Sequence, residues 1–212
     1  MAKLEIYWSF RSPYSYLAID RLCAIREHYE VDVAFRPVRP LAMREPDFFE
    51  RGRKQFVPYL MQDFPREAER LGLAFGLPNP DPIDMDMGTG KVAPEQPLMD
   101  RVMALGIAAC ENDRGLDFAK AVSARVWTGK PWSDDASLGD AAREAGLDLA
   151  ALEGWASANA AKIAKTIEAN EAEQLKHHWG VPLMVLDGEA FFGQDRLDSL
   201  EWRLAKRGLR RD

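Results

Sequence analysis

The sequence predicts an α/β protein in the order β-α-β, a long helical block, then β-β-α. Three observations predict it: apolar residues alternate near both ends of the chain, they recur every three or four positions through the middle, and cap or turn residues stand where the period changes. With 212 residues, this is one domain or one domain carrying an insertion. Hydrophobic residues make up 47% and charged residues 29%, which excludes the low-hydrophobicity, high-charge regime of disordered chains. At this length a fold buries roughly 70% of the surface its unfolded chain exposes, so neither disulfides nor a structural metal is needed.

The first element is a strand, because Leu4, Ile6 and Trp8 point to one face while Lys3, Glu5 and Tyr7 point to the other. A helix follows at once. Ser12 suits its N-cap, Pro13 its first helical position, and Tyr14, Ala18, Leu22, Ile25 and Tyr29 recur at helical spacing. Val31, Val33 and Phe35 then alternate as a second strand, stopped by Pro37 and Pro40. Strand, helix and strand make a βαβ unit, with parallel pairing and a right-handed crossover. From Leu41 to about Trp179 the period is helical, at Phe56, Tyr59, Leu60 and Phe64, at Leu98, Val102, Leu105 and Ala109, and at Ile163, Ile167 and Leu175. The proline- and glycine-rich stretch Phe75 to Pro97 reads as an irregular connection inside that block. Leu183 to Leu186 restores a strand, Asp187-Gly188 signals a two-residue hairpin, and Ala190-Phe191-Phe192 is the returning strand. Asp195 to Lys206 closes the chain as a helix with Leu197, Leu200 and Leu204 on one face. This is the element order of the thioredoxin fold, an order another α/β arrangement can share. Residues 1–40 and 180–212 are expected to form a discontinuous thioredoxin-like domain, and 41–179 an inserted all-helical domain.

With 28 Lys and Arg against 34 Asp and Glu, the net charge is −6, which disfavours nucleic acid as a partner. The two cysteines, Cys23 and Cys110, form no C-x-x-C pair and no metal-ligand spacing. No apolar leader or membrane span is read in the sequence, so the expected location is a reduced, cytoplasmic one. Asp81, Asp84 and Asp86 lack cation-loop spacing, Gly88-Thr89-Gly90-Lys91 lacks the upstream glycine of a phosphate loop, and the adjacent His177 and His178 point to different sides of a helix. No metal is expected.

Three segments can carry chemistry. Ser12-Pro13-Tyr14-Ser15 stands where the first strand hands over to the first helix, a position with unpaired N–H groups and about half a positive charge, suited to an anion or thiolate. In redox proteins of this fold C-x-x-C occupies that spacing, so serines there exclude redox chemistry by the chain's own thiols at this site. Ser12 also reads simply as a helix cap. Gly180-Val181-Pro182 precedes the returning strand; Pro182 either begins that strand in trans or, in a thioredoxin fold, is cis and leaves the Val181 backbone free for an extended ligand. Gln194 and Asp195, between the last strand and last helix, offer an amide and a carboxylate, and Asp195 also reads as an N-cap.

Together the run Ser12 to Ala18, the Gly180-Val181-Pro182 segment, Asp187-Gly188 and the run Phe191 to Leu197 resemble the 2-hydroxychromene-2-carboxylate isomerase and kappa-class glutathione transferase family, a DsbA-like branch of the thioredoxin superfamily. The Gln194-Asp195-Arg196 form is closer to the bacterial isomerases. The resemblance implies glutathione as cofactor, with Ser12 as the catalytic residue hydrogen-bonding its sulfur. Val181 and Pro182 would bind the cysteinyl part, and Gln194 and Asp195 the γ-glutamyl end. It implies reversible addition of the glutathione thiolate to an unsaturated aromatic carboxylate, and a homodimer. A thiol of pKa about 8.5 needs a shift of only one or two units to be largely ionised at neutral pH, within reach of one hydroxyl and a helix N-terminus. A kappa-like transferase and a non-redox thioredoxin-like binding protein are the alternatives on the same scaffold. One departure stands out: the asparagine that isomerases of this family usually carry after the second strand is absent between Pro37 and Phe64. Arg53 or Lys54 there can bind a carboxylate or serve as solvated helix charges. Tyr14, Trp8, Phe10 and Phe56 can form an aromatic wall, with Trp8 better suited to the core.

Overall fold

The structure, a computed structural model, describes residues 1–48, 54–86 and 88–211. A four-stranded sheet has the order β2-β1-β3-β4, with β1 at Ala2–Trp8, β2 at Val31–Pro37, β3 at Leu183–Leu186 and β4 at Glu189–Phe192. β1 and β2 are parallel, joined through helix α1 (Pro13–His28); β3 runs antiparallel to β1, and β4 antiparallel to β3. α1 starts where predicted. Ser12 has extended backbone angles, its Oγ accepts the Ser15 N–H, and Pro13 follows at a position where no N–H is needed. Arg26 and His28 lie in its last turn, where positive charge suits the helix dipole.

Leu4, Ile6 and Trp8 of β1 and Met184 and Leu186 of β3 bury one face of the sheet against α1 and against α9 (Leu197–Lys206), which contributes Leu197, Leu200 and Leu204. Trp8 is therefore core. The other face is covered as well: Tyr7, Val38, Leu183 and Val185 form a second, smaller apolar cluster. Alternation alone put Tyr7 on the outward face, whereas here both faces are buried.

Between β2 and β3 the chain is helical, as α2 (Leu41–Arg44), α3 (Phe56–Leu71), α4 (Pro97–Cys110), α5 (Gly115–Val126), α6 (Asp135–Glu144), α7 (Leu149–Ala158) and α8 (Ala160–Leu175). Met99, Val102 and Met103 of α4 and Phe118 and Val122 of α5 join the main core, where the Phe10 ring meets Phe118 edge-on at 6.3 Å. The connection between α3 and α4 is irregular, as its prolines and glycines predict, apart from isolated bridges pairing Met85 with Val92 and Gly76 with Thr128. Asp187 and Gly188 adopt positive φ of 48° and 90°, the two left-handed residues that a tight hairpin turn requires.

Two elements differ from their sequence patterns. The closing helix begins not at Asp195 but as a 3₁₀ turn at Gln194–Arg196, with α9 proper starting at Leu197. On α8, Leu175 is exposed, while Asn170, Glu171 and Gln174 are buried. The reason is the surface this helix meets. Its last turns pack where β2 ends and where β3 is about to begin, and the backbone carbonyls there need donors. Asn170 Nδ2 donates to the Pro37 carbonyl at 3.0 Å, and Gln174 Nε2 to the Gly180 carbonyl at 2.8 Å. Glu171 takes the Arg39 guanidinium through two oxygens, at 2.6 and 2.9 Å, and Gln174 Oε1 accepts from Arg44 at 3.1 Å.

Gln174→Leu leaves both the Gly180 carbonyl and the Arg44 guanidinium short of a partner, so it is expected to cost about 1–3 kcal/mol. Leu175→Gln, on the neighbouring exposed position, should stay within about 0.5 kcal/mol of wild type. Denaturant midpoints at unchanged m-value measure both.

Candidate active site

The turn between β1 and α1 is held from several sides. The Ser12 N–H donates to the Ser9 carbonyl at 3.0 Å, and the Phe10 carbonyl accepts from the Trp127 indole at 3.3 Å. Arg11 forms a two-pronged pair with Asp81, at 2.8 and 2.9 Å, and so ties the turn to the irregular connection before α4. Ser12 itself is half-buried, and its hydroxyl accepts from Ser15 while donating to no group among the described residues. Its proton is available to a ligand.

The β1–β3 register brings the second segment to the same place. Tyr7 pairs with Leu183, so the register carried one and two residues further sets Pro182 beside Trp8 and Val181 beside Ser9. The Val181-Pro182 peptide bond is cis. Around Val181 the backbone is occupied: the Gly180 carbonyl accepts from Gln174, the Gly180 N–H donates to His178 Nδ1 at 3.0 Å, and the Pro182 carbonyl accepts from the Gly193 N–H at 2.9 Å. The N–H and C=O of Val181 have no partner among the described residues. A Cβ at Gly180 would run into the Phe192 ring, so a larger residue there requires that ring to move.

α3 forms the third side. Asp63 on this helix is buried and accepts hydrogen bonds from the Tyr14 hydroxyl, from Tyr59 at 3.1 Å and from Arg66. Burial alone would raise the Asp63 carboxyl, but hydrogen bonds from Tyr14, Arg66 and Tyr59 outweigh it and hold it below the usual aspartate range. Burial and the Asp63 carboxylate push the Tyr14 phenol far up, so its proton stays in place. The Tyr14 ring packs edge-on against Phe64, with centroids 4.9 Å apart. One turn beyond Asp63, Glu67 accepts from the buried Gln194 amide at 2.9 Å and from Arg70 at 2.7 Å. Towards the start of α3, Phe56 meets Phe48, which meets Trp179; Trp179 and His178 in turn lie against Phe192.

Of the residues predicted for the site, Ser12 and Tyr14 share the first turn of α1, Val181 and Pro182 lie beside it through the sheet register, and Gln194 is linked to it through α3. Asp195 is exposed, 3.5 Å from Arg196, and caps no helix. Lys54 is exposed just before α3, and Arg53 lies outside the described residues. Sequence reasoning missed Asp63, Glu67, Arg11 with Asp81, and Gln174. The available signal was the spacing of Tyr59, Asp63, Glu67 and Arg70, which places them on one face of α3. Among the described residues no group of His, Cys, Asp and Glu is placed to hold a metal, and no helix is long and apolar enough to cross a membrane. A cleft of about 610 Å³ between α4, α7 and α8 includes none of these predicted residues.

The fold and this turn define a thioredoxin-like protein whose usual pair of cysteines is replaced by Ser12 and Ser15. The family model of the DsbA-like thioredoxin domain matches residues 3–205, and the chain belongs to that family. It is 25% identical over 200 residues to the 2-hydroxychromene-2-carboxylate isomerase of Sphingobium xenophagum, covering 93% of this chain and 95% of that one. A solved structure of a 2-hydroxychromene-2-carboxylate isomerase matches with TM-score 0.70 and 22% identity, covering 96% and 95% of the two chains. The cytosolic disulfide reductase DsbM from Pseudomonas aeruginosa, solved with GSH, matches with TM-score 0.60 and 16% identity over 96% of this chain and 99% of that one.

Because the folded Asp63 carboxyl lies below its unfolded value of about 3.9, its ionised form stabilises the fold above that pH. Asp63→Asn should therefore be less stable than wild type at neutral pH. The gap should close as pH falls through the lowered folded value, which thermal unfolding of both proteins across pH 7 to about pH 2 would follow.

Proposed function

We propose that the protein is a glutathione-dependent isomerase of the 2-hydroxychromene-2-carboxylate type, acting on a small unsaturated aromatic carboxylate. The observation that carries this reading is the state of Ser12, a hydroxyl with an unused proton at the N-terminus of a 16-residue helix, in the turn where relatives with redox activity need a cysteine. The relatives named as isomerases support an enzyme.

Glutathione fits the residues present. The free N–H and C=O of Val181 can pair with its cysteinyl backbone as a short antiparallel strand, and on the strength of the resemblance Gln194 and Asp195 are assigned to its γ-glutamyl end. When bound, glutathione supplies a thiolate that adds reversibly to the substrate's conjugated double bond and leaves again after rotation, so it is not consumed. Ser12 donates its hydroxyl proton to the sulfur, and the α1 N-terminus adds its positive end; each unit by which they lower the thiol pKa corresponds to about 1.4 kcal/mol. Tyr14 keeps its phenol proton, donates its hydroxyl to the Asp63 carboxylate and offers its ring to the aromatic substrate. The chain's own thiols stay out of the reaction. Burial pushes Cys23 up to about 11 and Cys110 up to about 12, which keeps both protonated at neutral pH. We propose in addition that the protein acts as a cytoplasmic homodimer, on the strength of the resemblance; light scattering at twice the mass of one chain would support the dimer.

Calorimetric titration with reduced glutathione, with thiolate absorbance followed across pH, tests the assignment on wild type and Ser12→Ala. Wild type should bind saturably with the bound thiol pKa lowered by one to two units, and Ser12→Ala should raise it again by about one unit. Isomerisation should then rise with pH at lower pH in wild type than in the variant, at constant total glutathione. Consumption of glutathione would instead indicate a kappa-like transferase. No binding at millimolar glutathione would overturn the reading in favour of a non-redox binding protein.

A further inference from the structure

Glu67, which accepts from both Gln194 and Arg70, also has a geometry that suits a ligand. Its side chain is about four-fifths buried, at 20% exposure, and Oε2 accepts from both Gln194 Nε2 and Arg70. Two anchors on one oxygen fix the carboxylate and leave Oε1 without a partner among the described residues. Gln194 is equally constrained. A carboxylate only accepts hydrogen bonds, so Gln194 must turn its NH₂ towards Glu67, which leaves its own carbonyl oxygen open. The result is a pair of adjacent, fixed acceptors, one of them charged. Arg70 holds Glu67 ionised, with Gln194 adding to the effect.

An ammonium group has three donors and no acceptor, and it is the one part of a γ-glutamyl end that two open acceptors suit. Asp195, the other carboxylate here, is 62% exposed and lies 3.5 Å from Arg196, so water screens it and no second anchor fixes it. We infer that Glu67, together with the Gln194 carbonyl, receives the α-ammonium of the γ-glutamyl group and makes the protein selective for thiols that carry a free α-amino group. Glu67 is then a specificity-determining residue that belongs to α3, whereas the backbone that aligns the thiol belongs to the segment before β3. This assignment rests on the glutathione reading above.

The test compares glutathione with N-glutaryl-cysteinylglycine, which keeps the thiol and both carboxylates and lacks only the α-amino group. Calorimetric titrations of wild type and Glu67→Gln with each thiol give four affinities. Wild type should prefer glutathione by about tenfold, the effect of one charge-assisted hydrogen bond. Glu67→Gln should lose that preference while binding the glutaryl compound as wild type does, which also shows that the variant is folded. Equal affinity of wild type for the two thiols would overturn this assignment and leave the glutathione reading standing. So would a Glu67→Gln variant that weakens on both thiols alike, because Glu67 would then only support Gln194. Failure of wild type to bind glutathione would remove the reading itself, and the role of Glu67 with it.

Discussion

The antiparallel register of β3 on β1 is the constraint on which the candidate site depends. Tyr7 opposite Leu183 sets the peptide before Pro182 alongside the end of β1, where α1 begins. A slip of one residue would reverse which side chains face the main core, exchanging Met184 and Leu186 for Leu183 and Val185. Both sets are buried, so apolar burial alone penalises the slip weakly. Other contacts hold the register. The Lys3 carbonyl accepts from the Asp187 N–H, and the Lys3 N–H donates to the Asp187 side chain.

A second set of contacts keeps the segment before β3 in place without filling the space beside Val181. Asn170, Glu171 and Gln174 on α8 bind the end of β2, the start of α2 and the Gly180 carbonyl in one connected patch. Apolar side chains could pack there, but they would leave the carbonyls of Pro37 and Gly180 without these donors, at a cost of about 1–3 kcal/mol each, and would take one of three acceptors from the Arg44 guanidinium. Burial lowers the pKa of Arg44, which finds carbonyl and amide oxygens rather than a contacting carboxylate among the described residues. Among the described residues, Val181 is thus the one member of the Gly180-Val181-Pro182 segment whose backbone finds no partner.

The same division of labour extends to α3. This helix turns Tyr59, Asp63, Glu67 and Arg70 along one side, and their hydrogen bonds reach Tyr14 in the first turn of α1 and Gln194 after β4. Charged residues on a helix face are usually solvated and contribute little. Here they connect three elements, and Asp63 stays ionised although it is buried. Serines stand at the first and last positions of the Ser12-Pro13-Tyr14-Ser15 turn of α1, and the two cysteines lie elsewhere, Cys23 buried and Cys110 half-buried, so this turn carries no thiol of the chain.

The sequence by itself determined the element order, the cap of α1, the hairpin turn and the burial of Trp8, because each follows from local period or from a residue with one favoured backbone geometry. Leu4-Ile6-Trp8, Ser12-Pro13 and Asp187-Gly188 could be read in this way from short windows. It also marked Ser12, Pro182 and Gln194, through their positions relative to those elements. Tertiary structure alone decided what lies across from them. The cis state of the bond before Pro182, the bond from Gln194 to Glu67, 127 residues earlier, and that from Gln174 to Arg44 depend on contacts between segments far apart in the chain. Polar residues such as Asn170, Glu171 and Gln174 carry no periodic signal of burial, since whether a polar side chain is buried depends on the partner it finds, and that partner is set by the fold.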